Sequence, residues 1–104
     1  MAVEITIVTC ATAKEGERIA EALVREKLAA CVNVVPGVRS IYVWEGKLRK
    51  ESEVLLMIKS TSRARKRLAS RVRALHSYSV PEIVTFPIAA GNPAYLKWVK
   101  ETAR

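Results

Sequence analysis

The chain has 104 residues, half of them apolar and 27% charged, which is enough for one core and too short for two. This balance excludes a disordered tail protein, and no apolar run approaches the roughly 18 residues of a membrane span. Eighteen Lys and Arg face ten Glu and no Asp, so the net charge of +8 invites polyanions such as nucleic acid, anionic lipid or a phosphorylated ligand.

The first ten residues alternate as a strand does and lack the basic start of a secretory leader, so a cytoplasmic protein is the expectation. In that strand Val3, Ile5, Ile7 and Thr9 share one face, with Glu4, Thr6 and Val8 on the other. Thr12 with Glu15 three residues later is a capping-box signature. It opens a helix to about Ala29, with Ile19, Ala20, Leu23 and Val24 as the apolar stripe. Cys31 to Val43 reads as a second strand bent at Pro36-Gly37. Glu45-Gly46 marks a tight turn, and Lys47 to Ser60 returns as a third strand. A second helix covers about Ser62 to His76, with Ala64, Leu68, Val72 and Leu75 inward. Ile83 to Ala89 is a fourth strand. Asn92-Pro93 caps a last helix carrying Leu96, Trp98 and Val99.

The order βαββαβ plus a terminal helix predicts one α+β domain over residues 1–104. It is a ferredoxin-like sandwich in which strand 1 lies between strands 3 and 4, and strand 2 sits at the edge beside strand 3. Strands 2 and 3 exceed the usual length of about 5–6 residues. Their excess is an arm of about 7 residues, or about 20 Å. Tyr42 and Trp44 face one way on it, Ile41 and Val43 the other. A two-stranded ribbon apolar on both faces needs covering, and further copies of the same chain are the economical source.

The stretches KLAACVNVVPGVRSIYVWEGK, ESEVLLMIKS, LHSYSVPEI and GNPAYLKWV, in this order and spacing, resemble the CutA family of divalent-cation tolerance proteins. The resemblance implies a trimer of PII-like architecture, a part in metal tolerance and a link to copper, with no agreed enzymatic reaction. The family's loop is commonly His-Pro-Tyr; here it is His76-Ser77-Tyr78. Leu75 and Val8 stand where copper-binding members can carry an additional His and a Cys.

Three groups of residues are candidates for function. Cys10, His76 and Glu82 fall at one end of the predicted sheet, and thiolate and imidazole are donors suited to copper or another divalent metal. His76 is equally placed to cap the second helix or to act as acid or base, and Cys10 to pack as a small hydrophobe. Weak copper binding centred on His76 is expected, lost as an imidazole protonates below its ordinary value of about 6.5. Tyr42, Trp44, Lys47, Lys59, Tyr78 and Glu82, all within the stretches shared with the family, are placed to line an intersubunit cleft for an anionic small molecule; alternatively, the aromatics pack at an interface and each lysine forms a surface ion pair. Arg63, Lys66, Arg67 and Arg73 form a basic face on the second helix, a solvated surface or an anion patch. Sequence-specific nucleic-acid recognition is not expected, because strand 3 lacks the stacking aromatics of RNA-binding sheets. No nucleophile–base pair or phosphate loop points to an enzyme. Glu51 and Glu53 share a strand face and are expected to meet solvent or an arginine. Cys10 and Cys31 are expected at opposite ends of the sheet as free thiols.

Overall fold

All 104 residues are described by the computed structural model, in the order β1 (Val3–Cys10), α1 (Ala13–Arg25), β2 (Cys31–Trp44), β3 (Lys47–Thr61), α2 (Arg65–Leu75), β4 (Ile83–Pro87) and α3 (Pro93–Thr102). The four strands form one antiparallel sheet in the order β2-β3-β1-β4, as the topology argument required. α1 and α2 cover one face. Val8, Cys10, Leu56 and Ile58 from the sheet meet Ile19, Leu23, Leu68 and Val72 from the helices in the main core. Each such aliphatic side chain contributes about 1.5–3 kcal/mol when fully buried.

The register puts the more apolar face of β1 on the other side. Ile5 and Ile7 share the open face of the sheet with Leu55 and Met57, and all four stay half-buried. α3 covers the lower part of this face through Val3, Ala30, Val99 and Ala103. Nearer the upper end Val84 and Phe86 remain 48% and 44% exposed.

α1 stops at Arg25, four residues before the expected end. Lys27 adopts a left-handed φ of 61°, Leu28 N–H donates to Leu23 O at 2.9 Å and Lys27 N–H to Val24 O at 3.1 Å. This is a Schellman stop with lysine where glycine is usual, so the composition did not announce it. Val24, expected in the apolar stripe, lies within α1 but is exposed. β4 ends at Pro87 rather than Ala89, although Ile88 N–H still donates to Val3 O at 3.2 Å, one residue beyond the proline.

The arm is present. Seven β2–β3 pairs, from Val38–Glu53 to Trp44–Lys47, extend beyond the last β1 pair, Cys10–Val54. It stretches the molecule to 44 × 25 × 22 Å. The expected bend is a register shift between Val35 and Val38, with Gly37 at φ 78°. Glu45 and Gly46, at φ 51° and 77°, make the turn at the tip, whose two positive φ values are those of a type I′ hairpin.

Cys10 pairs with Val54 midway along β3 and Cys31 with Lys59 near its end, so the two lie at opposite ends of the four-stranded part of the sheet, and both thiols are free. Thiol titration of the denatured chain without reductant is expected to give two thiols per chain; a count of zero would contradict this placement.

Candidate functional site

The upper end of the sheet is built by three segments. β1 ends there at Thr9 and Cys10, α2 delivers the loop 76–82, and the arm leaves at Val38 and Glu53. His76 is the C-cap of α2, and its side chain is fully buried. Nδ1 accepts the Tyr78 N–H at 3.0 Å, so the ring proton is assigned to Nε2, which donates to Thr9 O at 2.7 Å. Both ring nitrogens are thus used by the backbone.

Glu15 closes the other side. Thr12 Oγ1 accepts the Glu15 N–H at 3.1 Å, as the capping box predicts. The Glu15 carboxylate accepts the Ser77 N–H at 2.7 Å and lies 3.9 Å from His76 Nδ1. Partial burial pushes this carboxyl up. Hydrogen bonds from the Ser77 side chain and backbone, the nearby His76 and the Ala11 backbone outweigh the burial and hold it below the usual carboxylate range. A carboxyl depressed on folding stabilises the fold above its unfolded pKa, and this contribution is lost as pH falls through the lower folded value. Glu15→Gln is therefore expected to lose less stability than the wild-type chain between neutral and acidic pH, read by urea unfolding. Equal losses would remove Glu15 from the latch.

Tyr78 stacks at a tilt on His76, with ring centroids 4.7 Å apart, and its hydroxyl donates to Glu53 Oε2 at 2.8 Å. Burial and the accepting Glu53 carboxylate raise the phenol above its ordinary value. Glu53, expected to meet solvent or an arginine, is instead buried at 7% exposure. Glu15 and Glu53 are the site residues that sequence reasoning missed. The first was visible only as a cap, and the second needed the packing of the 76–82 loop on β3.

Beside this latch lies a cleft of about 810 Å³. Of the residues expected there, the structure gathers Tyr42, Trp44, Tyr78 and Glu82, joined by Glu51 and Glu53. Lys47 faces Trp44 across the ladder at the arm tip and does not line the cleft. Lys59 sits at the far end of β3, where it bonds Asn33 Oδ1 and approaches Cys31 Sγ at 3.9 Å. Three carboxylates and neither lysine make the cleft of one chain a poor anion site, since like charges repel.

The expected metal set does not fit either. Cys10 is fully buried in the core, and burial, followed by the charges of Glu15 and Glu53, pushes its thiol up to about 11. It is a thiol at neutral pH, whereas thiolate is the metal ligand. His76 has no free lone pair, Glu82 is exposed on the outer part of the loop, and no three His, Cys or Glu side chains converge. One chain therefore offers no fitting site for copper. On the basic helix Arg67 donates to Arg104 O at 2.6 Å, while Arg63, Lys66 and Arg73 are exposed without an ion pair.

Residues 4–102 match the family model described as CutA1 divalent ion tolerance protein. The chain belongs to the CutA1 family. The divalent-cation tolerance protein CutA of Thermus thermophilus is 50% identical over 98 residues, covering 94% of this chain and 95% of that one. A solved structure from that organism, described as a divalent cation tolerance protein (Cut A1), superposes with TM-score 0.96 at 48% identity, over 98% of this chain and 99% of the other. The chloroplastic protein CutA of Arabidopsis thaliana is 44% identical over 96% of this chain, which spans only 55% of that protein's length. The structure described as PII-like protein CutA from Nostoc sp. PCC 7120 has TM-score 0.90 at 38% identity, over 97% of each chain. The Ser77 N–H that binds Glu15 at 2.7 Å would be absent with proline at this position, since proline has no N–H to donate. No helix of this CutA1 chain is long and apolar enough to cross a membrane.

Proposed function

We propose that this chain serves the divalent-cation response as a cytoplasmic, PII-like homotrimer that binds its ligand without transforming it. One observation carries the reading. Ile41, Val43 and Leu48 are 63–67% exposed on one side of the arm, Tyr42 and Trp44 are 41% and 44% exposed on the other, and the open sheet face presents Val84 and Phe86 nearby. A ribbon with two apolar faces and a half-covered sheet complement each other when the arm of one copy lies on the sheet of the next. Such a head-to-tail contact makes a ring when the rotation between copies closes, which a third of a turn does after three chains.

The cleft opens beside both surfaces, so a neighbouring copy would complete its wall. An anionic effector, as in a signalling reading, would need cations from that neighbour, and the exposed Lys47 and Arg49 at the arm tip are the candidates. Copper, if it acts here, has to be held by groups from more than one chain or sensed elsewhere.

Native mass spectrometry of the purified protein tests the reading, because it reports the assembly and any retained small ligand together. A three-chain species is expected. A monomer at micromolar concentration overturns it.

A further inference from the structure

We infer that the outer face of α2 is a docking surface for the phosphate backbone of nucleic acid, used without regard to base sequence. The surface is separate from the cleft and from the faces proposed to assemble. Between Lys59 and Glu82 the chain has no acidic residue and six cations. The structure neutralises two of them: Arg65 pairs with Glu4, and Arg71 forms a two-pronged pair with Glu26. Arg63, Lys66 and Arg73 remain exposed and without an ion pair, and Arg67 is exposed with one guanidinium nitrogen bonded to Arg104 O. Arg67 is steered by its bond to Arg104 O, and the backbone bond from Arg104 N–H to Lys27 O brings two further basic residues to the same edge.

The placement runs against what the helix itself needs. α2 begins without a side-chain cap at Ala64 and has no acid in its first turn. Arg63, Arg65 and Lys66 stand instead at the end where the helix dipole disfavours positive charge. Arg65 is offset by its pair with Glu4, but Arg63 and Lys66 break the rule without structural gain, which is the mark expected of a functional surface.

The chemistry selects among polyanions. Leu68 and Val72 are committed to the core, and the exposed residues of α2 are Arg65, Lys66, Arg67, Ser70, Arg73 and Ala74. No large apolar side chain is left to enter a bilayer, as interfacial helices require. Guanidinium groups suit the paired oxygens of phosphodiesters. From Arg63 to Arg73 the face is about 15 Å long, and duplex DNA presents about nine charges over that length. About four phosphate contacts per face should weaken binding about 50- to 150-fold between 50 and 200 mM salt.

Fluorescence anisotropy with two labelled 20-base-pair DNA duplexes of unrelated sequence tests this, alongside vesicles containing 30% phosphatidylserine. Equal binding to both duplexes at 50 mM salt and the stated loss at 200 mM are expected, with weaker attachment to the vesicles. The double variant Arg63→Glu/Lys66→Glu should lose at least ten-fold in DNA affinity. Its melting temperature should hold or rise, because acids suit that helix end, so unfolding cannot mimic the loss. Lys97→Glu/Lys100→Glu on α3 makes the same charge change and should bind nearly as the wild type. No binding at 50 mM salt, equal losses in both variants, tighter binding to vesicles, or sequence-selective binding that survives 200 mM salt would each overturn the inference.

Discussion

Trp44→Ala is expected to turn the trimer into a monomer at concentrations where the wild-type chain remains assembled. Trp44 stands at the arm tip, 44% exposed within one chain and seven ladder pairs beyond the support of β1. Nearly half of its surface is left open by its own subunit, so that apolar area is available to a neighbour. Aromatic anchors of this kind carry about 2 kcal/mol or more at an interface, about 30-fold in each contact. A ring multiplies the loss, because every copy gives one arm and receives one. Sedimentation velocity at 1–10 μM, with Arg73→Ala as the surface control, reads the result. A Trp44→Ala trimer as stable as the control would separate the arm from assembly.

His76→Ala should destabilise the fold by about 2–4 kcal/mol and leave any copper binding unchanged. The imidazole joins Thr9 O to Tyr78 N–H across the end of the sheet and is fully buried. Removing it strands an acceptor and a donor, at about 1–3 kcal/mol for each group left unsatisfied. It also frees Tyr78 from its ring contact, and with it the hydroxyl that holds Glu53. A ligand role makes the opposite prediction: copper binding lost, melting temperature kept. Calorimetric titration with copper and urea unfolding of the same variant separate the two.

Much of the fold was legible because it rests on local rules. Thr12, Asn92-Pro93 and Glu45-Gly46 fix a cap, a helix start and a turn within a few residues each, and the structure uses all three as expected. The end of α1 was not legible, since Lys27 takes a conformation that glycine usually signals. The functional surface divides the same way. The aromatics of the arm and of the loop could be assigned to one cleft, but Lys47 and Lys59 could not be excluded from it, because strand register alone separates Lys59 from Tyr42 along the sheet.

The amino-acid order by itself determined the element sequence, the strand order and the excess length of the hairpin, which are consequences of periodicity, caps and chain connectivity. It also determined that one His and two distant Cys make a poor donor set. Only the tertiary structure decided which face of β1 the helices cover, that Glu53 is buried beneath Tyr78, and that His76 spends both nitrogens on the backbone. The Tyr78–Glu53 and His76–Thr9 bonds join residues 25 and 67 positions apart. A side chain's neighbours at that distance are set by how the layers pack, and packing is a property of the whole chain.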